Sequence, residues 1–301
     1  SRFFQSLAMR RVAQLHGHVS AQAVSGKRDV CLILGAGAGV GQAVARKFAE
    51  EGLHVVCLRR GGETPGSLEA LCAELNAAGL AATPIYGDVT KVEDIAKAVE
   101  AAEAIGPVRC AVYNVGAQVG NRDLQETSYR IFERAWRMGT LGAFALAKEV
   151  VPRMEQRGGG TLIYTSATAA VRGNRGQSAH AAAMFGRRAL CQSLNHELGP
   201  KGIHVAHVVV EGMIDAPESL GRIAPQLFQQ LRDAKLADQM IVNPASVANS
   251  YWFLHTQTRD AWALELDLRP WADTPWWNSD ASTGQGGTVA FKHERQPRDA
   301  T

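Results

Sequence analysis

The sequence predicts an α/β fold: a doubly wound, mostly parallel sheet of seven strands, in a single domain with an extension at each end. Strand-like apolar runs alternate with helical patterns from residue 29 onward, the order that builds βαβ units and a sheet covered on both faces. The first strand runs straight into a glycine-rich turn that opens a helix. At 301 residues, with 46% hydrophobic and 20% charged residues, the chain can bury one large core.

The elements follow in order. "DVCLIL" (29–34) is apolar on both faces and stops at glycine, as a central parallel strand does. The same pattern recurs at 53–58, 81–87, 108–114, 161–166, 203–210 and 262–268. Helical patterns lie between these runs, at roughly 39–51, 65–79, 91–105, 124–156, 177–198 and 244–256. No internal repeat or second core interrupts residues 29–271. Residues 211–243, irregular and rich in Met, Pro and Gln, follow the sixth strand and are expected to overhang the carboxyl ends of the sheet, where such folds bind ligands.

The two ends differ. Residues 1–28 carry Arg2, Arg10, Arg11, Lys27 and Arg28 and no acid. That composition suits an organellar transit peptide or its remnant, and equally a basic surface arm. Residues 272–301 place Trp276, Trp277 and Phe291 among Gly, Ser, Thr and Pro, a composition that builds no core of its own. Ordering a residue costs about 1–2 kcal/mol of backbone entropy. Both extensions are therefore expected to dock on other protein subunits, through these aromatics and through Phe3, Phe4 and Leu7.

Composition excludes several classes. A net charge of +3 gives no reason to expect nucleic acid as a partner. No apolar run approaches the ~18 residues of a membrane span. The five cysteines (Cys31, Cys57, Cys72, Cys110, Cys191) are scattered through apolar segments without a C-x-x-C, the usage of reduced, buried thiols. His204 and His207 on one strand make a poor metal pair, and no metal site is expected.

Gly35, Gly39, Val40 and Gly41 in "GAGAGVG" join a strand to a helix N-terminus. There a pyrophosphate finds free N–H groups and a positive dipole. At the end of the second strand stand Arg59 and Arg60, where an NAD site would carry an acid for the ribose. Two guanidiniums suit a 2′-phosphate, so NADP(H) is the expected cofactor, held for structure if not for turnover.

Together these features resemble the Rossmann-like short-chain dehydrogenase/reductase family over residues 29–271. "GDV" matches the adenine-contacting element through Asp88 and Val89, and "YNVGA" matches the Asn-Asn-Ala-Gly element through Asn114 and Gly116. "LNHELGPKGIHVAHVVVEG" resembles the passage into the family's Pro-Gly element, with Glu211 in the proline's place. The resemblance implies a tyrosine proton donor, a lysine four residues on that lowers its pKa, a serine thirteen residues before it, and an asparagine on the preceding helix. This chain holds His180, Met184, Ala167 and Gly139 at those positions. Four simultaneous losses imply a divergent, non-catalytic member, an accessory subunit of a larger assembly on the matrix side of a mitochondrion. Two alternatives stand beside that reading. One is an active NADP-dependent oxidoreductase with His180 as proton donor, since an imidazole titrates near neutrality unaided. The other is an NADP(H)-sensing module. Ser166 or Thr168 could orient a carbonyl, although strand alternation points both away from Ala167. Family resemblance also implies a homodimer through helices 124–156 and 177–198.

Overall fold

A computed structural model of the chain describes residues 27–61, 68–216, 225–226, 229 and 241–272. The arm at 1–26, the tail from 273 with its expected aromatic anchors, and most of 217–240 lie outside the described residues.

Seven strands form one all-parallel sheet. Three of them, β1 (Val30–Leu34), β2 (His54–Arg59) and β3 (Ala81–Tyr86), run outward from the middle to one edge. On the other side lie β4 (Val108–Tyr113), β5 (Gly160–Ala167) and β6 (Ile203–Val210). A short parallel pair, β7 (Met213–Ile214) and β8 (Ile241–Val242), sits apart from the main sheet, and β9 (Glu265–Leu268) completes that sheet beside β6. The order across the sheet is β3-β2-β1-β4-β5-β6-β9. It reverses between β1 and β4, the switch point at which such sheets open a crevice. The predicted single Rossmann-like domain is therefore observed, with each predicted main-sheet strand present.

Alternation along the strands feeds two cores. Cys31, Ile33 and Cys57 point toward α1 (Val40–Glu50), α2 (Leu68–Ala77) and α7 (Pro244–Thr256). Val30, Leu32, Leu34 and Tyr164 face α3 (Val92–Ile105), α5 (Gly142–Gln156) and α6 (Ser178–Leu198). Burial on both faces explains why these strands read as continuous apolar runs. All eight residues of β6 are buried. The five cysteines are free and buried. Trp252 of α7 packs edge-on against Phe48 of α1, with ring centroids 5.2 Å apart.

Local chemistry fixes the helix starts. Ser128 accepts a hydrogen bond from the Ile131 N–H, and Asn243 accepts one from Ala245 just ahead of Pro244. Glu93 and Asp94 occupy the first turn of α3, where acids complement the helix dipole.

The predicted helix at 124–156 is divided. A 3₁₀ turn at Leu124–Glu126 precedes α4 (Tyr129–Trp136), and a π-helical turn at Arg137–Leu141 joins α4 to α5. Gly139 lies inside that turn, against α6: a Cβ there would meet the Ala183 Cβ at 2.6 Å. Among the described residues no helix is long and apolar enough to cross a membrane.

His207 of β6 is 1% exposed, and its Nδ1 meets Glu265 of β9 at 3.0 Å, while Arg188 of α6 grips the same carboxylate through two bonds of 2.7 Å. Burial holds the imidazole well below its ordinary value, at about 4, against the opposing pull of Glu265. The folded state thus keeps His207 neutral where the unfolded chain binds a proton. Its contribution is complete above pH ~6.5 and declines as pH falls from there toward 4, by about 1.4 kcal/mol per pH unit. Urea unfolding at pH 7 and pH 5 should show this loss, and His207→Gln should lessen it by His207's share, since His180 and His204 are lowered by burial as well.

Candidate active site

A parallel sheet puts every strand's carboxyl end on one edge, and the predicted site residues gather there. Gly35 ends β1 at φ 95°, and a Cβ on it would lie 2.6 Å from the Asn114 carbonyl. That approach is closed by backbone and side chain together. The Asn114 N–H donates to the Leu34 carbonyl at 2.8 Å, and its Nδ2 donates to the Gly35 carbonyl at 2.9 Å. Gly39, at φ 99°, caps α1, so the N–H groups at that helix start have no side-chain cap. Val40 is the first helical residue, and Gly41 packs directly under the Gly35 carbonyl. Ala216, beyond β7, sits over the turn, 3.0 Å from where a Gly39 Cβ would be.

Arg59 closes β2 and Arg60 follows it, exposed. Asp88, at the end of β3's loop, accepts from the Thr90 N–H at 3.0 Å and from its hydroxyl at 2.8 Å. Burial would raise the Asp88 carboxyl, but these bonds and the charges of Arg60 and Lys91 outweigh it and hold it below its ordinary value. Val89 is buried beside it. Gly116 borders open space: a Cβ added there would meet nothing within 4 Å.

The far half of the crevice is built by α6. His180 is 8% exposed, and one imidazole nitrogen meets the Ala117 backbone in a contact that favours the protonated ring. Nδ1 is buried with no hydrogen-bond partner among the described residues. A neutral imidazole can present a bare lone pair, an acceptor, at that nitrogen. Burial, aided by the charge of Arg187, keeps the imidazole well below its ordinary range, at about 4.

Alternation along β5 divides its side chains between the two faces of the sheet. Thr165 and Ala167 face the α7 side, where the Thr165 hydroxyl meets Tyr251 at 2.6 Å. Ser166 faces α6 and lies 3.7 Å from the Met184 sulfur. The residue counted to the serine position, Ala167, is therefore on the other face. Ser166 supplies a hydroxyl beside Met184, which stands one turn along α6 from His180. Thr168 is buried at the start of a 3₁₀ turn. Glu211, beyond β6, is buried 3.7 Å from Arg269.

One site residue was missed by sequence reasoning. Arg187 is 1% exposed and donates from Nε to the Gly139 carbonyl at 2.7 Å, from Nη1 to Thr165, and from Nη2 to Val115 at 2.8 Å and Met138 at 3.3 Å. Its signal was present: His180, Met184, Arg187, Cys191 and Leu194 form the buried stripe of α6.

A glycine turn at a helix N-terminus, at the switch point of a parallel sheet, defines the class: an α/β domain of the dinucleotide-binding type. The short chain dehydrogenase family model matches residues 29–224, and the chain belongs to that family. A short-chain dehydrogenase from Rhodopseudomonas palustris shares 35% identity at a TM-score of 0.67, covering 80% of this chain and 98% of that one. A point variant of actinorhodin polyketide ketoreductase with NADPH shares 25%, at a TM-score of 0.71 over 81% and 97% of the two chains. Dehydrogenase/reductase SDR family member 4 of Homo sapiens is 28% identical over 177 residues, 58% of this chain and 63% of that protein. The match thus spans just under two thirds of that relative's length.

These relatives overturn the expectation of a non-catalytic accessory subunit. The solved chains of this architecture include oxidoreductases bound to nicotinamide cofactors. The physical reason is visible in the site. Counting four missing side chains assumed that their work had no other source, yet the buried stripe of α6 carries an imidazole and a guanidinium, with the Ser166 hydroxyl beside Met184 on the same stripe.

Proposed function

We propose that the chain is an NADP(H)-dependent oxidoreductase acting on an alcohol–carbonyl pair, with His180 as the group that exchanges the substrate's hydroxyl proton. The observation that carries this reading is the buried, unpartnered Nδ1 of His180 on the helix that forms the far wall of the crevice. A buried polar nitrogen without a partner is expensive unless a ligand completes it.

The residues fit the cofactor. Gly35 and Gly41 leave room where a side chain would collide, and the uncapped start of α1 offers N–H groups to a pyrophosphate. Arg59 and Arg60 suit a 2′-phosphate, Asp88 and Val89 the adenine end, and Asn114 and Gly116 the middle of the crevice. Bound NADP(H) supplies the hydride donor or acceptor. His180, neutral at pH 7, takes the hydroxyl proton on Nδ1 as an alcohol is oxidised and returns it as a carbonyl is reduced. In this reading the Ser166 hydroxyl holds the substrate oxygen, and the ring proton stays on Nε2, so that Nδ1 is the nitrogen that exchanges.

Calorimetric titration should show tighter binding of NADP(H) than of NAD(H), and Arg59→Asp should remove about 1–3 kcal/mol of that preference. Equal or stronger NAD(H) binding rejects the assignment of the two arginines. On alcohol and carbonyl panels, His180→Ala should lower turnover on the order of 100-fold or more while leaving cofactor affinity in place. Turnover that survives this change rejects His180 as the proton-exchange group.

We also infer that a second copy of the chain covers the outer face of α4–α6. Tyr129, at 98% exposure, Phe132 and Trp136 recur at helical spacing on α4, continued by Phe144 on α5 and Phe185 on α6. The matching face on an identical chain would be self-complementary about a two-fold axis. Sedimentation should report a dimer that Trp136→Glu together with Phe185→Glu converts to monomer. A monomeric wild-type chain rejects this arrangement.

A further inference from the structure

The stripe of α6 that carries His180 also carries a charge in the protein interior. Arg187 lies seven residues on, nearly two turns along the same face, and is the largest fully buried side chain among the described residues. A guanidinium is not left in such a place without compensation. Its direct hydrogen-bond partners are four backbone carbonyls, and its guanidinium carbon also stands 4.9 Å from the centre of the Tyr113 ring. These partners solvate the charge with dipoles. None of them is a carboxylate, so none cancels it.

The identity of the four carbonyls gives the arrangement its meaning. Val115 lies between Asn114, which closes on the glycine turn, and Ala117, whose backbone meets the His180 imidazole. Thr165 immediately precedes Ser166. Met138 and Gly139 belong to the π-helical turn, and Tyr113 donates from its hydroxyl to the same Met138 carbonyl at 2.6 Å. One side chain thus bonds the segment after β4, the end of β5 and the widened turn, and does so from the helix that carries His180. The turn itself is pressed against α6, where Thr140 donates from its hydroxyl to the Ala183 carbonyl at 2.8 Å.

We propose that Arg187 is the positioning residue of this site. From beneath the crevice its guanidinium holds the backbone segments that present Ala117, Ser166 and Asn114 in register with His180, and it supplies the fixed positive charge that Met184, on the preceding turn of the stripe, does not. This inference rests on the oxidoreductase reading for its kinetic consequence, but not for its structural one. A cation fixed in a weakly polar interior favours negative charge developing nearby, as on a substrate oxygen losing its proton. Lysine keeps the charge but lacks the planar, five-donor fork, and methionine keeps only the volume of the stem.

Arg187→Lys and Arg187→Met, made in the full chain, test this with two measurements. In steady-state kinetics the lysine variant should lose kcat on the order of 100-fold, with KM and NADPH affinity changed by less than about 3-fold; the methionine variant should lose more. Independently of turnover, the nitrogen NMR signals of the His180 imidazole at neutral pH should show one tautomer, protonated at Nε2, in the wild type and a mixture of tautomers in the methionine variant. If that variant does not fold, the lysine variant carries the same reading, with a smaller shift. Unchanged tautomer signals together with kcat within about 3-fold of wild type in the lysine variant overturn the positioning role. If the wild-type chain shows no His180-dependent turnover, the oxidoreductase reading fails, while the tautomer measurement still decides the role of Arg187.

Discussion

Parallel pairing is the constraint from which the rest follows. A sheet whose strands all run one way must return the chain across its faces between strands, so both faces are covered and every strand is apolar throughout. The same pairing puts seven carboxyl ends on one edge. The order reverses between β1 and β4, and at such a reversal the covering helices of an open α/β sheet lie on opposite faces and leave a crevice at the strand ends. Backbone carries much of the organisation at that edge. The Gly35–Asn114 approach is made of main-chain atoms and one amide side chain, and Arg187 bonds only carbonyls.

The fold was readable because its determinants are local. Continuous apolar runs, glycines at the turns and 3.6-residue periodicity each act within a few neighbours, and they located every strand of the main sheet. The division of 124–156 was not readable, because a single π-helical turn adds one residue to one turn and barely disturbs the apolar pattern on either side. The clustering of the expected cofactor residues at one edge was readable for the same reason as the fold, since those residues stand in contiguous stretches next to strand ends.

The far half of the crevice was harder. Alternation does turn Ser166 away from Ala167, but which face of β5 looks toward α6 depends on packing between distant segments. Arg187 was hidden by Arg188. Two adjacent arginines read as a solvated pair, whereas one turns inward among the carbonyls and the other reaches Glu265 at the surface. The reading of four lost groups as lost function failed at the same point. It compared side chains position by position, and left out what neighbouring positions such as Ser166 and Arg187 bring to the same part of the fold.

Gly139 has a consequence for substitution in this part of the fold. A side chain there would collide with Ala183 at 2.6 Å and press on Ala117 and the Met184 methyl at 3.1 Å. Asparagine therefore does not fit at 139 while those neighbours stay as they are, although the carbonyl that Arg187 holds there is main chain and would remain. Gly139, Ala183 and Met184 are thus coupled by volume: a larger side chain at 139 becomes compatible only with a smaller or displaced neighbour on α6.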